Sequence, residues 1–194
     1  MSIKFFDMFA GIGGFRSGLE AIGGFECVGY CEIDKYAKQA YEAMYDTGGE
    51  LYFDDARKIV PEQLPDFDLL VGGFPCQSFS IAGARKGFDD TRGTLFFEIA
   101  RIAAVKKPKY LFLENVPVCL TMTPGRTFET ILRTLDELGY NVCWQVLNSK
   151  NFGVPQSRNR VFIIGYLKGQ CAGEVLSFTQ TSGKALIQRK PNAR

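Results

Sequence analysis

Cys76 lies in the run Gly72-Gly73-Phe74-Pro75-Cys76-Gln77-Ser78-Phe79-Ser80, and its surroundings favour chemistry more than those of any other residue in the chain. A nucleophilic thiol needs exposure and a route to the thiolate. The apolar residues 67–71 read as a buried strand that runs into a glycine-bearing turn, and strand-end turns are where open α/β sheets bind ligands. Pro75 stiffens the backbone just before the sulfur. A single cysteine is more often a small buried hydrophobe, but Gln77, Ser78 and Ser80 make this segment polar. The chain contains no histidine, which excludes Ser-His and Cys-His pairs and most catalytic zinc sites. Whatever activates Cys76 must be a carboxylate, an arginine, the local backbone or the substrate itself.

Two further segments carry groups that fit such a nucleophile. Glu114 closes the apolar run Phe112-Leu113-Glu114-Asn115-Val116. A carboxylate directly after an apolar strand is partly desolvated, which raises its pKa and makes it a usable proton donor; a capping or surface acid is the plain alternative. In Gln156-Ser157-Arg158-Asn159-Arg160, which opens a final strand, the arginines are two apart and would share a face. They could pair with Glu114 or hold a base oxygen or phosphate, and a solvated basic turn is the simpler alternative.

A ligand site is suggested by Phe9-Ala10-Gly11-Ile12-Gly13-Gly14, between a first strand and a first helix. Glycines there admit a ligand to the backbone, and the helix start offers free N–H groups. Position 16 is Arg, so the third glycine of a dinucleotide fingerprint is missing, and a phosphate-free adenosine ligand is as consistent as NAD. Glu32, about 20 residues on at the end of a second strand, occupies the place of an acid that holds ribose hydroxyls, and Asp55 follows a third strand. Glycines in such turns also serve packing alone.

These residues need a frame that brings strand ends together. Strand-like runs at residues 3–8, 25–31, 51–53, 67–71, 110–113, 142–147 and 161–166 alternate with helical patterns, notably Phe15/Leu19/Ile22, Tyr36/Ala37/Ala40/Tyr41/Met44 and Phe128/Ile131/Leu132/Leu135. Asp34 is placed to cap the second helix. The alternation predicts an α/β fold, a doubly wound, mostly parallel seven-stranded sheet over residues 1–168, with an irregular basic tail at 169–194. The chain of 194 residues, 46% hydrophobic, suits one domain with a substantial core. Its net charge of +2 gives no strong footprint for nucleic acid at the level of the whole chain. Six cysteines without a CxxC pair read as reduced thiols in a cytoplasmic protein and argue against a metal site. No apolar stretch is long enough to span a bilayer.

Taken together, the runs resemble the cytosine-5 DNA methyltransferases of bacterial restriction–modification systems. The resemblance extends from Phe5 to about Tyr166 and rests on Asp7-Met8-Phe9-Ala10-Gly11-Ile12-Gly13-Gly14-Phe15, residues 73–80, Gly93-Thr94-Leu95-Phe96, Glu114-Asn115-Val116 and Gln156-Ser157-Arg158-Asn159-Arg160. It implies the Rossmann-like fold of S-adenosylmethionine-dependent methyltransferases. It also implies that Cys76 attacks carbon-6 of a cytosine flipped from duplex DNA, that Glu114 protonates ring nitrogen 3, and that Arg160 holds the exocyclic oxygen with support from Arg158. S-adenosyl-L-methionine, leaving as S-adenosyl-L-homocysteine, would lie across Phe9, Gly11 and Gly13. Glu32 would hold its ribose, Ile33 would stack beside the adenine, and Asp55 would read the adenine amino group, with Gly73, Pro75 and Leu95 closing the pocket. Gln77, Ser80, Arg85, Lys86 and Arg92, in or beside the polar loop 77–92, would contact DNA.

The sequence departs from the family pattern in two places. The family continues into a target-recognition domain and a late Asn-containing motif, both absent here, which leads to the expectation of a split or truncated enzyme completed by another polypeptide or by self-association. Residues 117–123 also lack the polar residues usual after Glu-Asn-Val. A tRNA-modifying branch of the superfamily usually has proline after Pro-Cys-Gln, where this chain has Ser78.

Overall fold

A computed structural model describes residues 2–75, 95–120 and 126–169. Seven strands form one sheet: β1 (Ile3–Met8), β2 (Phe25–Cys31), β3 (Leu51–Phe53), β4 (Leu69–Gly73), β5 (Tyr110–Asn115), β6 (Tyr140–Asn148) and β7 (Asn159–Leu167), in the order β3-β2-β1-β4-β5-β7-β6. Among the described residues four α-helices accompany them: α1 (Gly14–Ile22), α2 (Lys35–Met44), α3 (Leu95–Lys106) and α4 (Arg126–Glu137). All strand pairs from β3 through β5 are parallel, and β7 alone runs the other way, wedged between β5 and β6. The connection from β6 to β7 contains no crossover α-helix, so the two strands must pair antiparallel. The doubly wound, mostly parallel sheet read from the alternation is the fold observed.

Adjacent residues on a strand face opposite sides, and here both sides are covered. Phe6, Met8, Leu70, Leu111 and Leu113 pack with Ile99 and Ile102 of α3 and with Ile131 and Leu135 of α4. Phe5, Leu69 and Val71 pack on the other side with Leu19 of α1. On that same side α2 seats Tyr41, fully buried, against Tyr30 with ring centroids 4.4 Å apart. Asp34 caps α2 as expected, accepting the N–H groups of Tyr36 and Ala37. Among the described residues no helix is long and apolar enough to cross a membrane.

Two charged residues are buried between α1, α2 and the sheet. Arg16, 4% exposed, donates to Glu20, Glu50, the Tyr41 hydroxyl and the Asp46 carbonyl, and its guanidinium lies against the rings of Tyr41 and Tyr45. Its donors are therefore shared among both helices and the loop before β3, which satisfies the charge in a dry setting. Asp7, 1% exposed at the end of β1, accepts from the Tyr41 hydroxyl through Oδ2, while Oδ1 has no hydrogen-bond partner among the described residues.

Burial pushes the Asp7 carboxyl up from 3.8 to about 7, against the opposing pull of the Tyr41 hydroxyl and Arg16. In the unfolded chain this carboxyl ionises near 4, so between about pH 4 and about pH 7 only the unfolded state gains from ionisation. The contribution of this carboxyl to stability is therefore fully present below that window and is lost as pH rises through it, by on the order of 4 kcal/mol at about 1.4 kcal/mol per tenfold. Asp7→Asn keeps the shape and the acceptor for Tyr41. Thermal melts across this range should show a decline in the parent protein that is markedly smaller in the variant.

Candidate active site

The chain winds outward from β1 through β2 to β3, returns to β4 and continues to β5, so the winding reverses between β1 and β4. In open α/β sheets the carboxyl ends beside such a reversal form the ligand crevice. Both groups of sequence-predicted residues described by the structure lie at this edge, one on each side of the reversal.

On the β1–β2 side, the chain leaves β1 through Phe9 at φ 55, Gly11 at φ 56 and Gly13 at φ 86. A positive φ costs a glycine little but strains Phe9, and such strain collects at functional turns. The Gly11 N–H donates to Glu32 Oε2 at 2.7 Å, and Glu32 Oε1 accepts the Asp34 N–H at 2.8 Å. The Glu32 carboxylate is thus fixed by backbone donors on two elements, with lone pairs left for a ligand. A side chain at Gly11 would meet nothing within 4 Å, which leaves open space beside the turn. Ile33 is 70% exposed, an apolar face next to that carboxylate. Asp55 follows β3 and caps a short 3-10 turn; Arg57 engages both of its oxygens and holds its carboxyl down at about 2.

On the β4–β5 side, Glu114 pairs in register with Gly73, and a Cβ at position 73 would approach Glu114 Oε2 to 3.2 Å. Glycine at 73 leaves room for the carboxyl. Because β7 runs antiparallel to β5, its first residues lie beside the last residues of β5, which brings Arg160 Nε to 2.6 Å from Glu114 Oε1. Arg158 precedes β7, exposed, and does not share the pairing, so the expected common face on the strand is not observed. Just before the strand, Ser149 closes the turn, its hydroxyl donating to the Gln156 carbonyl and its N–H to the Arg158 carbonyl. The Glu114 side chain is 23% exposed, and desolvation pushes its pKa above the usual carboxylate value, against the pull of Arg160 and Arg158. Pro75 is exposed two residues beyond β4, and Leu95 opens α3. Cys76, Gln77, Ser80, Arg85, Lys86 and Arg92 lie outside the described residues.

Several residues with roles here escaped the sequence reading. Asn115, 2% exposed, donates to the Phe74 carbonyl at 3.0 Å and so anchors the backbone two residues before Cys76. Its burial at a strand end is visible only once β4 and β5 are paired. Arg57 lies two residues after Asp55, a local acid–base spacing that could have been noticed. Tyr45 reaches the glycine turn from the end of α2, with the Arg16 guanidinium against its ring, and the i, i+4 recurrence of Tyr41 and Tyr45 was the available signal.

Removing either arginine should release the Glu114 carboxyl upward, because both hold it down against desolvation. Arg160→Ala should raise its pKa more than Arg158→Ala, since only Arg160 also hydrogen-bonds it. Titration of carboxyl-labelled glutamate by NMR reads both shifts, and a fall in either variant would contradict this electrostatic account.

The family model for C-5 cytosine-specific DNA methylases matches residues 3–191. Among curated proteins, the chain is 52% identical over 165 residues to the type II methyltransferase M.NgoBI of Neisseria gonorrhoeae, covering 84% of this chain and 50% of that protein. It is 47% identical over 162 residues to the type II methyltransferase M.HhaI of Haemophilus parahaemolyticus, covering 84% of this chain and 48% of the relative. The chain therefore spans about half the length of these relatives. The solved S. pombe Dnmt2 methyltransferase superposes with a TM-score of 0.69 at 24% identity, over 89% of this chain and 53% of that one, a likeness of fold. Matched by the family model over nearly all of its length, the chain belongs to the C-5 cytosine-specific DNA methylase family.

Proposed function

We propose that the chain is the catalytic portion of a DNA cytosine-5 methyltransferase, acting on a cytosine turned out of double-stranded DNA. The observation that carries this reading is the Glu114–Arg160 pair: a carboxyl lifted by desolvation and a guanidinium, set together beside Gly73 at the end of the strand that leads toward Cys76. A pyrimidine edge presents a ring nitrogen that can take a proton and an exocyclic oxygen that can take a hydrogen bond, and these two side chains match them.

S-adenosyl-L-methionine fits the residues on the β1–β2 side. Glu32 offers anchored acceptor lone pairs suited to ribose hydroxyls, Ile33 an exposed apolar face for an adenine, and Gly11 open space beside the backbone. Phe9, Gly13 and Asp55 line the same strand ends, and Gly73, Pro75 and Leu95 complete the pocket from the β4 side. The cofactor supplies the electrophilic methyl group, leaving as S-adenosyl-L-homocysteine.

The chain's own residues prepare the acceptor. Cys76, as thiolate, forms a bond to carbon-6 while Glu114 delivers its proton to nitrogen 3, so the electron pair pushed into the ring is not left as an unprotected anion. Arg160 holds the exocyclic oxygen, and Arg158 adds positive potential. After carbon-5 is methylated it loses its proton to solvent, the freed pair re-forms the double bond between carbons 5 and 6 as Cys76 departs as thiolate with the carbon–sulfur pair, and nitrogen 3 returns its proton to Glu114. Gln77, Ser80, Arg85, Lys86 and Arg92 contact DNA around the flipped base. The four described cysteines are free thiols, which suits a reducing, cytoplasmic setting.

Cys76→Ala should abolish methyl transfer by the active assembly while leaving cofactor binding nearly unchanged. Duplex DNA carrying 5-fluorocytosine should trap a covalent adduct at Cys76, because fluorine cannot leave as the proton does. An adduct at another cysteine would overturn the mechanism. Glu32→Ala removes the charged acceptor and should weaken S-adenosylmethionine at least about tenfold by calorimetry, since hydrogen bonds to charged groups contribute roughly 1.5–3 kcal/mol each.

A further inference from the structure

The glycine turn after β1 is held from two directions. From the ligand side, Gly11 N–H is fixed on Glu32. From behind, the Tyr45 hydroxyl donates to the Gly13 carbonyl at 2.8 Å. That carbonyl also accepts the Ser17 N–H at 2.8 Å, at the start of α1. Gly13 is the N-cap of α1, left-handed at φ 86 and ψ 38, and has no side chain with which to cap it. Helix starts usually fix their own geometry with a Ser, Thr, Asp or Asn at this position. Here no side chain caps the first N–H groups, and the turn is fixed instead through its carbonyl, by a hydroxyl from the residue that ends α2.

Tyr45 is well placed for that task. It follows α2 as its C-cap, its ring packs 4.9 Å from that of Tyr41, and the buried Arg16 guanidinium lies 4.6 Å from its ring centroid. The ring orientation is therefore set by a charge that is itself held at four points. A Cβ at Gly13 would collide with the Tyr45 ring, whereas one at Gly11 would meet nothing within 4 Å. The turn is packed on one side and open on the other.

We propose that Tyr45 is a positioning residue for the cofactor: its hydroxyl, held on the Gly13 carbonyl, sets the angle of the Gly11–Gly13 turn and hence the placement of the Gly11 N–H and the Glu32 carboxylate that receive the ribose. This rests on the reading that S-adenosylmethionine lies on Glu32. Fold maintenance does not require the hydroxyl. Helix α2 is anchored by Tyr41 and capped by Asp34, and the Gly13 carbonyl keeps its helical partner without Tyr45.

The test compares the parent protein with Tyr45→Phe, Tyr45→Leu and Glu32→Ala. Calorimetric titration with S-adenosylhomocysteine reads affinity, and thermal melting without ligand reads stability. Tyr45→Phe keeps the ring on Arg16 and removes one neutral hydrogen bond, so it should bind roughly fivefold to tenfold more weakly while melting close to the parent. Tyr45→Leu should lose both affinity and stability. A merely structural role would lower the melting temperature and leave the affinity of Tyr45→Phe at the parent value, and that result would overturn the proposal. Unchanged affinity in Tyr45→Phe beside a clear loss in Glu32→Ala would do the same while leaving the cofactor reading intact. If Glu32→Ala binds as the parent does, or the parent does not bind, the cofactor reading fails first.

Discussion

The reversal of winding between β1 and β4 is the constraint from which the rest of the site follows. Both strands are central and flanked on each side, so their backbone groups are spent on neighbours and their side chains on two buried faces. Only the turns beyond their carboxyl ends are free to vary, and those turns diverge because the chain leaves the strands toward opposite sides. One runs through the glycines of residues 11–14, the other through Phe74 and Pro75 toward Cys76. On the proposed function, the cofactor and the base presented for attack meet across the crevice between these two turns.

Each side of that crevice is stiffened by a polar group buried for the purpose. Arg16 gathers α1, α2 and the loop before β3 around one cation, with every partner being a carboxylate, a hydroxyl, a carbonyl or an aromatic face. Asn115 does the equivalent for the other turn by tying β5 to the Phe74 carbonyl. Buried polar networks contribute most to uniqueness of structure when fully satisfied. Asp7 departs from this, with one oxygen unpartnered among the described residues and a raised pKa, and its cost falls where β1 ends and the strained Phe9 begins.

The sequence was most legible where local pattern and tertiary demand agree. β1, β2 and β3 begin and end where their apolar runs do, and Asp34 caps α2 as its position suggested. It misled where a residue type has two uses. Gly72 and Gly73 read as a turn but belong to β4: Gly72 is small because Met8 backbone lies 3.0 Å from where a Cβ would sit, and Gly73 because Glu114 needs the space. The run read as ending at residue 113 continues through Glu114 and Asn115, because these pair with Phe162 and Val161 of β7. Arg158 and Arg160 were expected to share a strand face, yet the strand begins between them and only Arg160 reaches Glu114. The contacts of Arg16 with the Tyr45 ring and of Tyr45 with the glycine turn form only after α1 and α2 have packed, and of these only the i, i+4 recurrence of Tyr41 and Tyr45 is written locally.

The antiparallel direction of β7 has a chemical consequence that a parallel strand could not deliver. A parallel β7 would place its first residues at the opposite edge of the sheet, far from the end of β5. Antiparallel pairing instead returns Arg160 to Glu114, so the carboxyl experiences two opposed influences, desolvation upward and the guanidinium downward. On the proposed function, a base entering this pair excludes further water and gives the guanidinium a new oxygen to hold. Both changes act on Glu114 in the same direction, toward the proton-bearing form. The acid is then restrained by Arg160 while the crevice is open to water and is released by the substrate that needs its proton, without a histidine anywhere in the chain.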